Sequence, residues 1–419
     1  MVKIRERFLQ EQVLEALKTR PLVYLNGGRQ VGKSTLCDKL SWPTKVQRIS
    51  FDTPRMLREA LNAPEDFMEK LSPKMLNIID EVQFAPQIFP YLKIRIDESR
   101  LAGKNRGLFL LTGSANLMAL PQLSNALVGR MAIRTLYPFS AAEYVGSMSV
   151  DFFADSFMDG FCRAGSRKRD IVTIMRHSTY PEIALQKDIN RQAWFDEYLA
   201  TILQRDVKAM SDIKNPSLMT EFLAFMVLRT GSQINMSSVA QEMGIDVKTA
   251  EKLLILGLNS FLLILMRPWF QPNRLNKRFV KSPKVYFIDT NFLANFLKMD
   301  LAIAYEQDQA FWGHLLENFV ATELIKLASL YRWELLYFRT LKGQEVDFVI
   351  EKGNDLIGIE VKNSTTASSR FIKGLQELRA ISGKRFKRGI VLYLGKDIES
   401  LGDDCWAIPL SIFWQWKNN

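Results

Sequence analysis

The stretch Gly27-Gly28-Arg29-Gln30-Val31-Gly32-Lys33-Ser34 constrains this chain more than any other. It fits the pattern G-x-x-x-x-G-K-S/T and follows an apolar run, Leu22–Asn26, that reads as a buried strand. Glycine at both ends lets the backbone curl so that successive N–H groups face one concavity. A helix opening near Lys33 aims its dipole into the same space. Such a loop suits the phosphates of a nucleoside triphosphate. Gly27 through Thr35 would form the cradle, the Lys33 ammonium would reach the β- and γ-phosphates, and the Ser34 hydroxyl would complete a Mg²⁺ shell. ATP and Mg²⁺ are therefore the expected ligands.

A second apolar run, Met75–Ile79, ends in Asp80-Glu81. Asp80 at a strand tip can stand beside Mg²⁺, and Glu81 can orient and deprotonate an attacking water. Binding needs only Asp80, so the adjacent Glu81 argues for hydrolysis. Thr112-Gly113-Ser114-Ala115-Asn116 closes a further strand, where Ser114 could sense the γ-phosphate, although turn chemistry explains the segment nearly as well. Arg130 precedes another strand and is a candidate for stabilising transition-state charge, with an ordinary surface arginine as the plainer reading. Strand signals at Lys45–Phe51, Leu108–Thr112 and Ala132–Leu136 alternate with helical stretches, which predicts a parallel α/β sheet.

Taken together, Gly27–Ser34, Asp80-Glu81-Val82-Gln83, Leu111-Thr112-Gly113-Ser114, Leu127-Val128-Gly129-Arg130 and Leu136-Tyr137-Pro138-Phe139 resemble the prokaryotic AAA-type ATPases that are often fused to a C-terminal domain of unknown function. The resemblance implies a catalytic-glutamate core with the sensor strand between the two Walker strands. It extends through Tyr180-Pro181-Glu182, Arg205-Asp206 and Lys281–Thr290, and so over nearly the whole chain. Ser178-Thr179 stand where that family usually has two glycines, and Asn291 where it usually has one.

Downstream, the expected organisation is an α/β chain of four parts: a P-loop ATPase core over 1–148, a helical lid over 149–214, a winged-helix-like segment over 215–300, and a nuclease-like α/β domain over 301–419. Ser237–Leu253 has helix-turn-helix layout, with Ala240 and Gly244 permitting a close crossing and turn, and Val239, Ile245, Ala250 and Leu253 as its small core. Strands at Phe261–Leu265 and Val285–Ile288 would flank a wing rich in Pro, Asn and basic residues. A groove-binding role and a protein-packing role both fit, since Asp246 and Glu251 dilute the charge of Lys248 and Lys252.

In the last part, Glu345–Ile350 and Leu356–Lys362 read as a hairpin. Alternation puts Glu360 and Lys362 on one face, beside Asp347 if the register pairs them. Carboxylates at Asp347 and Glu360 with a lysine nearby suit Mg²⁺-assisted phosphodiester cleavage. The layout resembles the PD-(D/E)XK nuclease fold, with Glu317 as the acid on the preceding helix. Acid-x-Lys triplets are common, however: Asp206-Val207-Lys208, Asp212-Ile213-Lys214 and Asp246-Val247-Lys248 also occur. An inactive domain of the same shape is the alternative.

Charge bears on partners. Lys and Arg total 56 against 45 Asp and Glu, a net +11 that favours a polyanion, with DNA preferred over RNA. Arg163, Arg167, Lys168 and Arg169 form a basic run in the helical segment. Lys342, Arg370, Lys373 and Lys384-Arg385-Phe386-Lys387-Arg388 could contact phosphates, with Phe386 or Trp406 for stacking, although a solvated helix face and a β-sheet core aromatic explain each residue singly at least as well. A switch acting on a protein partner is the competing expectation, and assembly into a homo-oligomer is a further one. Cys37, Cys162 and Cys405 are scattered and His177 and His314 are the sole histidines, which excludes a disulfide framework or zinc cluster. No apolar leader follows Met1. The longest greasy run, Leu253–Met266, falls short of the ~20 residues of a membrane span. A cytoplasmic, non-membrane protein is expected.

Overall fold

The computed structural model describes residues 5–42, 44–103, 106–114, 127, 129–146, 170–186, 188–204, 217–270 and 282–414. Arg163, Arg167, Lys168, Arg169, Cys162, Asn116, Arg205, Asp206, Lys208, Asp212, Lys214 and most of the wing linker lie outside these residues.

Burial along each strand foreshadows its place in the first sheet. After α1 (Leu9–Thr19), β1 (Leu22–Asn26) is buried at every residue, whereas β2 (Val46–Ser50), which follows α2 (Lys33–Lys39), is only half-buried. Next come α3 (Pro54–Asn62), α4 (Pro64–Glu69) and β3 (Leu76–Asp80), then α5 (Phe89–Leu101). β4 (Phe109–Gly113) is again fully buried and β5 (Met131–Thr135) half-buried. The order is β2-β3-β4-β1-β5, all parallel, so the buried strands are central and the half-buried ones form the edges. β4 separates β1 from β3, as the resemblance implied.

Between the sheets lie α6 (Ala141–Val145), α7 (Ile171–His177), α8 (Pro181–Leu185) and α9 (Arg191–Ile202). Each of α6, α7 and α9 starts at a side-chain cap: Ser140 with Glu143 in a capping box, Asp170, and Asn190. An aromatic cluster of Tyr180, Trp194, Phe195, Tyr198 and Phe292 joins this layer to the C-terminal half.

The middle segment comprises α10 (Ser217–Val227), α11 (Met236–Met243) and α12 (Val247–Asn259), then β6 (Leu263–Pro268) and β7 (Lys284–Phe287). Gly244 takes the left-handed turn between α11 and α12 at φ 67°. Val239, Ala240, Ala250 and Leu253 are buried between the helices, and Ile245 packs at their margin. Asp246 caps α12 by accepting the Thr249 N–H at 3.0 Å and binds the Thr249 hydroxyl as well, so both side chains are engaged in ending the turn.

The rest of the chain contains α13 (Thr290–Phe296), α14 (Leu301–Gln307) and α15 (Gln309–Tyr331), then β8 (Glu334–Arg339), β9 (Glu345–Lys352) and β10 (Asp355–Lys362). It ends with α16 (Lys373–Ser382), β11 (Phe386–Tyr393), β12 (Glu399–Gly402) and β13 (Cys405–Pro409). One mixed sheet runs β12-β13-β11-β10-β9-β8-β6-β7. The β6–β7 hairpin is thus hydrogen-bonded into the C-terminal sheet through Arg267 opposite Leu336, and the boundary expected near residue 300 falls inside one sheet. β12 and β13 carry weak strand signals and emerge only here. Among the described residues, no helix is long and apolar enough to cross a membrane.

Candidate functional site

Gly27 has φ 148°, and a Cβ there would lie 2.1 Å from the Leu136 carbonyl oxygen, so the loop's first turn admits only glycine. Gly32, at φ 95°, caps α2. Lys33, the next residue, is buried, and its Nζ donates to the Gly27 and Gly28 carbonyls at 2.9 Å each. The ammonium therefore sits in the middle of the loop. Its outer side rests on α9 and on the turn after α12: a Cβ on Gly28 would be 3.4 Å from that of Phe261, and the Tyr198 hydroxyl donates to the Arg29 carbonyl at 3.4 Å. Val31 is buried beneath the loop, and its carbonyl accepts from Arg7 Nη1 at 2.8 Å.

Because the sheet is parallel, the tips of β1, β3 and β4 meet on one edge. The Ser34 hydroxyl donates to Asp80 Oδ2 at 2.9 Å, and the Thr112 hydroxyl donates to Asp80 Oδ1. An adjacent hydroxyl and carboxylate are oxygen donors suited to Mg²⁺, so Ser34 and Asp80 fit that ion. Glu81, one residue further, is left-handed at φ 56°. A non-glycine residue there costs of order 1 kcal/mol, and such strain recurs where a side chain must be aimed. Its carboxylate accepts from Ser114 Oγ at 3.2 Å and from the Gln83 amide, which also donates to Ser114 Oγ at 3.0 Å.

A cavity of about 480 Å³ opens over these groups, bounded by Arg29, Gln30, Lys33, Ser34, Thr35 and Glu81, with Tyr198 and Thr201 of α9 facing them. A second cavity, about 300 Å³, lies on the other flank of Gly32 and Thr35 and is lined by Arg7, Leu36, Phe139, Pro181 and Leu185 among others. The two share Gly32, Thr35, Pro181 and Glu182. Sequence reasoning missed this second cavity. Tyr180-Pro181-Glu182 was a visible signal, but nothing local says that α8 folds over the loop.

Arg130 lies away from the phosphate loop of its own chain. Met131 pairs with Leu22, the first residue of β1, while the phosphate loop follows Asn26, the last. Roughly 15 Å of strand therefore separates Arg130 from its own loop. It forms a two-bonded ion pair with Asp97 of α5, at 2.8 and 2.9 Å, and does not belong to the phosphate site of its own chain.

The C-terminal acids do converge. The β9–β10 register sets Phe348 opposite Ile359, so Asp347 lies level with Glu360, and Asp347 Oδ2 accepts the Val361 N–H at 2.8 Å. Lys362 Nζ donates to Glu360 Oε2 at 2.7 Å, as alternation requires. Glu317 of α15 accepts from Lys284 at 3.2 Å and from the Tyr286 hydroxyl at 2.7 Å, both on β7. Lys284 also lies 2.5 Å from Glu345. Burial, then the Asp347 charge, raise Glu317 to about 7, and the same causes lift Glu360 well above the ordinary carboxylate range. Burial opposes the charge on Lys284, but Glu317, Asp347 and Glu345 outweigh it and hold the ammonium above the ordinary lysine range. Lys284, Tyr286 and Glu345 were not foreseen, because β7 reaches β9 and α15 only through the shared sheet.

These acids do not fit a divalent cation as they stand. Among the described residues, no three His, Cys, Asp or Glu side chains are arranged to hold a metal. Two unit charges about 4 Å apart interact by about 4 kcal/mol at an effective dielectric near 20, so a dication beside Lys284 would meet roughly twice that repulsion. The neighbouring basic run is also engaged. Arg385 pairs with Glu351 at 2.5 Å, Lys387 with Asp355 at 3.5 Å, and Phe386 is buried in the core, which favours its packing reading over stacking. Lys342, Arg370 and Lys373 remain exposed.

Residues 19–145 match the AAA domain family. Residues 168–302 and 312–413 match two domains of unknown function, DUF8612 and DUF4143. The N-terminal third is therefore an AAA-type P-loop fold, α/β throughout, followed by a second, mixed sheet. Uncharacterized proteins of Mycobacterium tuberculosis (Rv2008c) and Mycobacterium bovis (Mb2031c) are each 25% identical over 407 residues, covering 97% of this chain and 84% of theirs. The Walker-type ATPase PABY2304 of Pyrococcus abyssi is 14% identical with a TM-score of 0.39, covering 71% of this chain and 96% of that one. Thermotoga maritima RuvB, as a point variant, is 17% identical with a TM-score of 0.31 at the same coverages.

Proposed function

We propose that this protein binds ATP with Mg²⁺ and hydrolyses it, and that it couples turnover to a nucleic-acid partner, DNA in preference to RNA. The observation that carries the hydrolytic reading is Ser34 bonded to Asp80 at 2.9 Å with Glu81 adjacent, across from Lys33. Lys33 would leave its two carbonyls for the terminal phosphates, and Gly27 to Thr35 would supply backbone donors. Ser34 and Asp80 would hold Mg²⁺, which when bound neutralises phosphate charge. Glu81 would accept a proton from the attacking water, with Ser114 and Gln83 keeping its carboxylate aimed. Ser114 then serves Glu81 as much as the phosphate. In the Lys33→Ala protein, ATP affinity measured by calorimetry should fall at least ~100-fold, because a charge-assisted contact to phosphate is lost. Affinity within a few fold of the parent would remove Lys33 from the site.

The nucleic-acid part rests on the net +11 charge and on the exposed Lys342, Arg370 and Lys373. On duplex DNA, each phosphate contact should steepen the fall of affinity by about 0.9 log unit per log unit of salt. A flat salt response, or no binding to linear and branched DNA, favours the second reading, a switch acting on a protein partner. That reading has its own support: Val247 and Ile255 are exposed on α12 between Lys248, Glu251 and Lys252, a mixed apolar and charged face.

A further inference from the structure

Away from the phosphate loop, β7, β9, β10 and α15 share a dense cluster of ionisable groups. Lys284 comes from the hairpin, outside residues 312–413, and its side chain is only 3% exposed. It lies 3.2 Å from Glu317 Oε1 and 2.5 Å from Glu345 Oε1, with its Nζ 5.6 Å from the Tyr337 ring centre. Glu345 is closed on its other oxygen by Arg339 at 3.2 Å, Glu360 by Lys362 at 2.7 Å, and Asp347 by the Val361 N–H at 2.8 Å. Neighbouring backbone leaves little slack. A Cβ on Gly231 would be 3.1 Å from Glu317, and one on Gly374 would be 3.1 Å from Glu360. The acids are therefore neutralised from within: Lys284 is almost wholly buried at 3% exposure, while Lys362 and Arg339 close the rim at 31% and 42%.

We propose that Lys284 is the built-in cation of this cluster, standing where a nuclease-like site would hold a divalent ion, so that the C-terminal sheet engages its ligand without cutting it. The ammonium bridges α15 to β9 as a metal would, but it cannot generate a hydroxide or polarise a phosphate as a Lewis acid. The cluster then ties the β6–β7 hairpin to the C-terminal sheet. This inference does not depend on ATP turnover.

The test uses the full chain without nucleotide and Mn²⁺ as the probe, in an Asp80→Asn background that removes the metal-holding carboxylate of the phosphate loop. Calorimetry is expected to find no saturable Mn²⁺ site that Asp347→Asn abolishes. Adding Lys284→Met should create one, at least about tenfold tighter than any residual binding, and Glu360→Gln should remove it again. A Mn²⁺ site in the Asp80→Asn chain that Asp347→Asn destroys would overturn the proposal. So would a folded Lys284→Met chain that gains no site, or Mn²⁺-dependent nicking of duplex, single-stranded or branched DNA that Lys362→Ala abolishes. If circular dichroism shows that Lys284→Met does not fold, the Asp347→Asn comparison and the nicking assay decide alone.

Discussion

Glu81→Gln is expected to leave ATP–Mg²⁺ affinity within about threefold of the parent chain while phosphate release slows by roughly 10²–10⁴-fold, the range ascribed to a positioned general base. The amide has the carboxylate's shape and can still accept from Ser114 and Gln83, so the left-handed turn at residue 81 and the network of Ser114, Gln83 and the strand tip should survive. What is lost is the capacity to take a proton. Binding stays because Lys33, Ser34 and Asp80 are untouched. Calorimetry with ATP and a phosphate-release assay separate the two quantities. Turnover within tenfold of the parent would show that another group, or water alone, receives the proton.

Arg7→Met is expected to cost about 3–5 kcal/mol of stability, the range for breaking a buried pair from one side. Arg7 Nε lies 3.0 Å from Glu143 Oε1, and both side chains are 7% exposed. The same guanidinium donates to the Val31 carbonyl in the phosphate loop and, at 2.5 Å, to the Tyr137 carbonyl after β5. Glu143 in turn accepts the Phe8 and Ser140 N–H groups at 3.0 Å each. Without Arg7 that carboxylate stays buried without its counter-charge, and the N-terminal arm loses its hold on the loop. Thermal or urea unfolding followed by circular dichroism would measure the effect. Because Arg7 also lines the second cavity, ATP affinity should fall in the same variant. A loss below about 1 kcal/mol would mean that the arm is held by packing alone.

Much of the phosphate loop and of the strand tips beside it was legible from residue order, because their geometry is local. Gly27, Gly32, Lys33 and Ser34 follow one another along a single turn, and Asp80-Glu81 sit at a strand tip whose direction the parallel sheet sets. The central place of β1 could be read from its unbroken apolar run. The partner of Arg130 could not be read locally, because its ion pair joins the start of β5 to Asp97 of α5, 33 residues earlier. Phe386 left stacking and core packing both open for a similar reason: an aromatic between basic residues looks like a stacking platform until the neighbouring sheet face is known to be covered by α16.

Residue identity alone therefore determined the phosphate loop, the two Walker strands, the helix-turn-helix and the acid-bearing β9–β10 hairpin. Each of these rests on contacts between residues close in the chain. Tertiary structure decided that α8 and α9 close over the loop, that β6 and β7 extend the C-terminal sheet, and that Lys284 stands among Glu317, Glu345 and Asp347. Those outcomes come from pairing strands and helices far apart in sequence, where burial of one shared core outweighs any local preference.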